Sequence, residues 1–187
     1  MKKLGKKILV ATLFLGTLCI NANTITDNSV TVLKYKNVKE GFKIAIKDNY
    51  GVVLYKETIQ NKGNYIKGFD LTSLPEGVYN FELEKDFEIQ IRPFKVSNNK
   101  IEYLNSDNYT IFKPVITKKN GYVYISQLAL ENDVKIEILN SGSLIYSEVV
   151  ENQMEIRKIF DFKDAPANDY VVIVKTKDRR FKNTVRL

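Results

Sequence analysis

The sequence contains no histidine, no tryptophan and a single cysteine. Without histidine, Ser-His-Asp and Cys-His catalytic arrangements are excluded, and a zinc site would lack its usual nitrogen ligand. The cysteine, Cys19, lies in an N-terminal apolar run. If cleavage after Ala22 removes that run, the mature chain can form neither a disulfide nor a Cys-based zinc site. Carboxylates, lysines and tyrosines are then the side chains left for catalysis.

The N-terminus has the pattern of a secretory signal peptide. Lys2, Lys3, Lys6 and Lys7 form a basic region, residues 8–20 form an apolar run, and Ala22 offers a small residue for cleavage. The run is short for a hydrocarbon layer of about 30 Å, which weighs against an uncleaved anchor. A lipoprotein signal needs small residues before the cysteine, and Leu18 is bulky. We predict a signal peptide at 1–22 and a secreted or periplasmic protein.

The charge balance gives little support to a nucleic-acid or membrane-surface partner. The net charge of the whole chain is +7. Four of those charges are the lysines of the predicted signal, so the mature net charge is 7 − 4 = +3. A charge this small for the chain length predicts no nucleic-acid partner. The basic pairs in 118–119 and 177–180 fit polar turns.

Apolar residues alternate with polar ones along most of the chain. Phe42, Ile44 and Ile46 form one such run, and Phe81 and Leu83 belong to another. A period of two indicates a strand with one buried and one solvated face. Turn residues recur about every 8–12 residues, and no helical period is sustained outside the signal. The pattern predicts an all-β protein built as an antiparallel sandwich or barrel.

One sequence pattern, from Gly51 to Glu84, recurs without a gap from Gly142 to Lys175 at an offset of 91 residues, with nine identities in 34 aligned positions. Such an internal repeat predicts that the two halves share one fold. We predict a first domain at 23–106 and a second at 107–187. The identical pairs are Gly51/Gly142, Tyr55/Tyr146, Glu57/Glu148, Asn61/Asn152, Lys67/Lys158, Phe69/Phe160, Asp70/Asp161, Pro75/Pro166 and Tyr79/Tyr170.

The recurring aspartates Asp70 and Asp161 are candidates for acid catalysis or calcium binding. Either role needs converging carboxylates, and the spacing of Asp161, Asp164 and Asp169 matches no calcium-binding loop. The simpler interpretation is that Asp70 and Asp161 each cap the turn that follows. We therefore predict no catalytic, cofactor-binding or metal-binding residues and no cofactor.

Three other recurring positions carry expectations about burial. Tyr79 is expected to bury its ring while its hydroxyl group finds a partner near the rim. Glu57 and Glu148 lie on strands with an apolar face and are expected to be solvated.

The run Phe-Asp-Leu-Thr-Ser-Leu-Pro-Glu-Gly-Val-Tyr at 69–79, with the strands around it, resembles the C-terminal sorting domains of the type IX secretion system of Bacteroidota. It is also similar to small secreted Ig-like β-sandwich proteins of those bacteria that have no known function. The resemblance covers 42–91 and, more loosely, 134–187. It implies two tandem Ig-like antiparallel β-sandwich domains after the signal peptide.

These observations predict a non-enzymatic protein with a structural or interaction role at the cell envelope. Its expected partner is another envelope protein or a surface polymer, contacted through exposed edge strands or through a groove between the two predicted domains. The alternative is a type IX secretion substrate whose C-terminal sandwich is the sorting domain. A carbohydrate-active or peptide-hydrolysing enzyme would need two carboxylates meeting in a cleft, and the spacing shows no such pair.

Overall fold

A computed structural model describes residues 30–130, 132–177 and 179–187. The predicted signal peptide and Cys19 lie outside the described residues, so those expectations stay predictions. The described chain forms fifteen strands and one 3-10 turn: β1 Val30–Val38, β2 Lys43–Asp48, β3 Val53–Thr58, β4 Gly63–Asp70, β5 Gly77–Glu84, β6 Glu88–Ser97, β7 Lys100–Tyr103, the turn Asn105–Asp107, β8 Tyr109–Phe112, β9 Val115–Lys119, β10 Tyr122–Leu128, β11 Val134–Asn140, β12 Ser143–Val150, β13 Glu155–Asp161, β14 Asp169–Thr176 and β15 Arg179–Arg186.

The predicted all-β class is confirmed, and the strands pair antiparallel in four sheets. The sheet orders are β1-β4, β3-β2-β5-β6-β7, β13-β10-β9 and β12-β11-β14-β15, and β8 also pairs with β6. In the part of the chain that the structure describes, no helix has the length and apolar character needed to cross a bilayer.

The described chain divides into two compact units. Unit 1 contains residues 30–86 and 90–110, and unit 2 contains residues 87–89 and 111–187. The domain limits proposed from the sequence, 23–106 and 107–187, stay predictions.

Unit 1 has a core formed between its two sheets. Leu33 on β1 and Phe69 on β4 come from one sheet, and Ile44, Phe81 and Phe94 come from the other. Each of these side chains is almost fully inaccessible to solvent. The alternation seen in the sequence places such residues on one face of each strand, so the two apolar faces pack against each other as in a β-sandwich.

Unit 2 repeats this arrangement around a separate core. Ile125 on β10 and Ile156 on β13 pack with Ile136 on β11 and with Val172 and Val174 on β14. Its second sheet, β12-β11-β14-β15, corresponds strand for strand to β3-β2-β5-β6 in unit 1. The pair β10-β13 corresponds to β1-β4. The two copies of the sequence repeat therefore fold with the same strand order.

The units also differ. Unit 1 extends its larger sheet with β7, whereas unit 2 extends its smaller sheet with β9 beside β10. These additions lie in the stretch between the two copies of the repeat.

The hairpin turn before β3 shows why a glycine recurs at its position. Gly51 and Gly142 have φ angles of 82° and 85°, in the left-handed region that glycine adopts at low cost. In unit 1 the carboxylate of Asp48 accepts hydrogen bonds from the backbone N–H groups of Tyr50 and Val52 and closes the turn. The turn brings the following strand back along β2, or along β11 in unit 2.

Candidate functional site

The most conspicuous polar group in unit 1 is formed by Tyr55, Glu57, Tyr65 and Lys67, which we call the first clasp. The carboxylate of Glu57 accepts hydrogen bonds from both tyrosine hydroxyl groups and from the Lys67 ammonium group. Lys67 also donates to the hydroxyl oxygen of Tyr55. The Lys67 and Glu57 side chains are only 16% and 25% exposed, so this is a partly buried ion pair.

The same arrangement occurs in unit 2, in what we call the second clasp, formed by Tyr146, Glu148 and Lys158. The Tyr146 hydroxyl group donates to Glu148 at 2.6 Å, and the Lys158 ammonium group donates to the other carboxylate oxygen at 2.6 Å. Ile156, which is buried, takes the place of Tyr65 at the same offset, so the second clasp has one donor fewer. Its ion pair is also more open, with Lys158 and Glu148 at 32% and 31% exposure.

Each clasp joins the edge strands of two opposing sheets. Glu57 lies on β3, at the edge of the larger sheet of unit 1, and Lys67 lies on β4 in the smaller sheet. Glu148 on β12 and Lys158 on β13 have the equivalent places in unit 2. The clasps therefore join the two sheets along one lateral side of each unit.

Glu57 and Glu148 were expected to be solvated, but both are only partly exposed and bonded within a clasp, Glu57 at 25% and Glu148 at 31% exposure. On both strands the glutamate shares its face with a tyrosine, Tyr55 or Tyr146, that packs against the core. The apolar residues of these strands, such as Leu54, are the ones exposed. At an edge strand the inner face ends at the rim of the core, and there a tyrosine–carboxylate–lysine group satisfies its own polar atoms.

Aromatic contacts fix the position of each clasp. Tyr55 meets Phe69 edge-on at a centroid distance of 5.1 Å, and Tyr146 meets Phe160 edge-on at 4.9 Å, both with an interplanar angle of 76°. The Lys67 ammonium group also lies over the Tyr55 ring, 5.0 Å from its centroid. Edge-to-face pairs and cation–π contacts add orientation to the ion pair.

The electrostatics hold the first clasp in one protonation state. Burial would raise the pKa of Glu57, but the hydrogen bonds from Lys67, Tyr55 and Tyr65 outweigh it and lower the pKa below its usual 4.5. Burial would lower the pKa of Lys67, but Glu57 and Tyr55 raise it. Burial and the hydrogen bond to Glu57 raise the pKa of Tyr65 and of Tyr55.

The pKa values of Glu148 and Tyr146 in the second clasp shift in the same directions, with less burial of the groups. Hydrogen bonds from Lys158 and Tyr146 lower the pKa of Glu148. The hydrogen bond to Glu148, together with burial, raises the pKa of Tyr146 to about 12.

These shifts are unfavourable for acid–base catalysis. A general acid or base works best when its pKa lies near the working pH. In the clasps the carboxylate pKa values move down and the tyrosine pKa values move up, away from neutrality. The carboxylate of Glu57 is already committed to three donors. The chemistry of the clasps is that of a structural tie between sheets.

A second recurring contact involves the tyrosines that follow the Pro-containing connections. The Tyr79 hydroxyl group donates to the backbone carbonyl of Pro75 at 2.7 Å, and the Tyr170 hydroxyl group donates to that of Pro166 at 3.0 Å. Both rings are buried. The prediction that Tyr79 buries its ring and satisfies its hydroxyl group is confirmed.

The aspartates Asp70 and Asp161 cap turns. The carboxylate of Asp70 accepts from the backbone N–H and the hydroxyl group of Thr72, at 3.1 and 2.7 Å. The carboxylate of Asp161 accepts from the backbone N–H of Lys163 at 2.9 Å. Both aspartates therefore have the local role expected from the sequence.

Arg92 on β6 is the main cation near a surface cleft of unit 1. Two shallow clefts share Arg92 and Asn108 in their linings. The guanidinium group lies 4.1 Å from the centroid of the Tyr35 ring and donates to the backbone carbonyl of Lys34 at 3.1 Å. These contacts tie β6 to β1, so Arg92 is already engaged within the unit.

Within the described ranges, no group of three or more Asp, Glu, His or Cys side chains is placed to hold a metal ion. Asp161, Asp164 and Asp169, considered above as calcium ligands, form no such group.

Comparison with known proteins adds no family to this account. No protein-family model matches the chain, and no curated protein sequence matches it either.

Proposed function

We propose that this chain is exported and acts at the cell envelope as a non-enzymatic β-sandwich protein with a structural or interaction role. Its partners would be another envelope protein or a surface polymer. The observation that carries the proposal is how the recurring polar residues are paired. In both units they satisfy one another in fixed protonation states as ties between sheets.

We also propose that both units have an immunoglobulin-like fold. An immunoglobulin constant domain has sheets ordered A-B-E-D and C-F-G. In unit 2, β9-β10-β13 fits A-B-E and β11-β14-β15 fits C-F-G, with β12 beside strand C. Tyr79 and Tyr170 lie near the start of the strand that fits F and bond to backbone upstream, as in the tyrosine corner of such domains. We therefore assign both units to Ig-like sandwiches.

Export and processing provide the first test. Cells that express the chain at its natural level are fractionated, and the N-terminal residue of the protein is determined by mass spectrometry. We expect the chain in the periplasm, envelope or medium, beginning at Asn23. Recovery of the unprocessed chain from the cytoplasm would contradict the proposal.

The absence of enzymatic activity is tested separately with the clasps. The purified chain is assayed against polysaccharides and peptides, with Glu57→Gln and Glu148→Gln variants beside it. We expect no turnover by any of the three proteins. Turnover by the wild-type chain that either substitution abolishes would show that a clasp carboxylate is catalytic.

A type IX sorting role for the C-terminal part is the second candidate. It is supported by the observation that unit 2 has its own core and its own pair of sheets, as a transferable sorting domain requires. A chain lacking 107–187 should then remain in the periplasm. Unchanged passage of that truncated chain across the outer membrane would exclude this role.

A further inference from the structure

The side of the four-stranded sheet in unit 2 that faces away from its core concentrates positive charge towards one end. Lys135, Lys175 and Arg180 lie side by side on β11, β14 and β15 in the strand register. With strands about 4.8 Å apart, these three cations form a row about 10 Å long. Lys182 lies two residues further along β15, opposite the buried Ile173, and both Arg180 and Lys182 are exposed.

One carboxylate on this face is shared by two of the cations. Glu137 accepts from Lys135 at 3.0 Å and from Lys175 at 2.9 Å. Lys135, Lys175, Arg180 and Lys182 with Glu137 give a local charge of 4 − 1 = +3. Arg186 and Asp169, at the other end of the same face, pair with each other at 2.9 Å and leave this sum unchanged. The basic residues near 177–180 were expected to form a polar turn, but Arg180 extends along a strand and joins this cationic face.

Unit 1 provides an internal comparison, because on the equivalent face of its larger sheet two lysines have carboxylate partners of their own. Lys47 pairs with Glu82 at 2.8 Å, and Lys43 lies 3.9 Å from Glu84. At the repeat offset, the two glutamates correspond to Ile173 and Lys175 in unit 2. The charge excess therefore arises where the second copy has lost two carboxylates, and it is not a general property of the fold.

Exposed aliphatic side chains border the cations of unit 2. Val149 on β12 pairs in register with Lys135, and Leu144 pairs with Leu139 on the same side of the sheet. Val149 is 51% exposed, Leu144 57% and the neighbouring Ile145 54%. One sheet face thus presents a cluster of cations on β11, β14 and β15 and an aliphatic margin on the edge strand β12.

We propose that this face binds an anionic lipid surface. Lysine and arginine at a membrane attract negatively charged headgroups, and aliphatic side chains enter the interfacial layer beside them. A single-stranded nucleic acid would need aromatic rings for base stacking. The outward positions of this face, as far as the structure describes them, hold aliphatic, hydroxyl and charged side chains. The biological setting of this inference rests on the proposed envelope role, but the binding itself does not.

The test measures co-sedimentation of the exported chain with lipid vesicles at low salt. Vesicles of phosphatidylcholine alone are compared with vesicles that also contain phosphatidylglycerol. We expect binding to the anionic vesicles that weakens as salt is raised, and little binding to the neutral ones. Equal binding to both kinds, or none to the anionic kind, overturns the proposal.

Matched variants locate the surface. Since each basic residue near an anionic membrane changes binding about fivefold, Arg180→Gln with Lys182→Gln should weaken it on the order of 30-fold. Lys56→Gln with Lys62→Gln makes the same charge change on exposed positions of unit 1 and should change binding less than twofold. Equal losses from the two pairs would show that net charge alone is responsible, which contradicts a defined face.

Variants of the aliphatic margin distinguish a lipid surface from a soluble polyanion as the ligand of this face. Leu144→Ser with Val149→Ser should weaken vesicle binding several-fold and leave binding to dextran sulfate unchanged. If both ligands respond only to the cationic variants, the lipid assignment is wrong and the face binds polyanions in general. Circular dichroism confirms that each variant is folded. Failure of vesicle binding leaves the export test of the proposed function intact, so the two can fail separately.

Discussion

Lys67 on β4 donates to the carboxylate of Glu57 on β3, and this ion pair links the edge strands of the two sheets of unit 1. Lys158 and Glu148 form the equivalent link in unit 2. The pairs occupy the side of each sandwich where an apolar core cannot continue without meeting water. A tie of this kind is expected to stabilise the packing of the sheets.

Substitution of the carboxylates should affect the two units unequally. Glu57→Gln leaves the mostly buried Lys67 without its counter-charge, and we expect a loss of about 2–3 kcal/mol in the free energy of unfolding. Glu148→Gln should cost about 1 kcal/mol, because that pair is more exposed and lacks the additional tyrosine donor. Urea denaturation followed by circular dichroism measures both values. A larger loss from Glu148→Gln would contradict this ranking.

The tyrosine hydroxyl groups that reach the proline carbonyls give a second prediction. Tyr79→Phe and Tyr170→Phe each remove one hydrogen bond to a backbone carbonyl while keeping the buried ring. We expect each to lower the free energy of unfolding by about 1 kcal/mol. Tyr50→Phe is the matched control, since Tyr50 is 91% exposed, and it should have almost no effect. Effects of equal size at all three positions would argue against the structural role of these hydroxyl groups.

The lowered pKa of Glu57 predicts how stability responds to acid. Because its pKa is lower in the folded protein than its usual 4.5, the unfolded state takes up the proton first as pH falls. The stability that Glu57 contributes is therefore complete above pH 4.5 and is lost as pH drops through the folded-state pKa. Denaturation curves at a series of pH values should show the gap between wild-type and Glu57→Gln narrowing below pH 4.5. A gap of constant size would mean that the pKa of Glu57 is not lowered.

Tyr146 gives the corresponding prediction in alkali. Its pKa is raised to about 12, so the folded protein holds the phenolic proton more tightly than the unfolded chain does. Its contribution to stability is present below pH 10 and is lost as pH rises towards 12. An ultraviolet titration of phenolate absorbance should contain a late-titrating tyrosine that Tyr146→Phe removes.

Much of the fold could be predicted from the sequence, because a strand with one buried face shows alternating apolar and polar residues. The runs around Ile44 and Phe81 place one face of each strand in a core, and those side chains are indeed buried. The repeat likewise predicted one topology for both halves, which the shared strand order confirms. Both are local signals, readable within one strand or between two aligned copies.

The clasps were missed because their partners are distant in the chain and lie on different sheets. Alternation shows that Tyr55 and Glu57 share a face, but it cannot say that the face ends at the edge of a sheet beside Lys67. The recurrence of Tyr, Glu and Lys at the same three positions of both copies was the available signal. Each type is common on strand surfaces, so their joint recurrence indicates that the three side chains interact. The pairing of the extra strand β9 with β10 could not be anticipated either, because β9 lies outside the repeat and no second copy indicates its place.

The measurement that tests the central claim most directly is a double-mutant cycle across Glu57 and Lys67. Unfolding free energies are determined for wild-type, Glu57→Ala, Lys67→Ala and the double variant, and binding to the anionic vesicles is followed in parallel. If the first clasp is a structural tie, the cycle gives a coupling energy of about 1–3 kcal/mol, and vesicle binding by the folded variants is unchanged. A coupling energy near zero, or a loss of vesicle binding without a loss of stability, would show that the first clasp does not hold the sheets together.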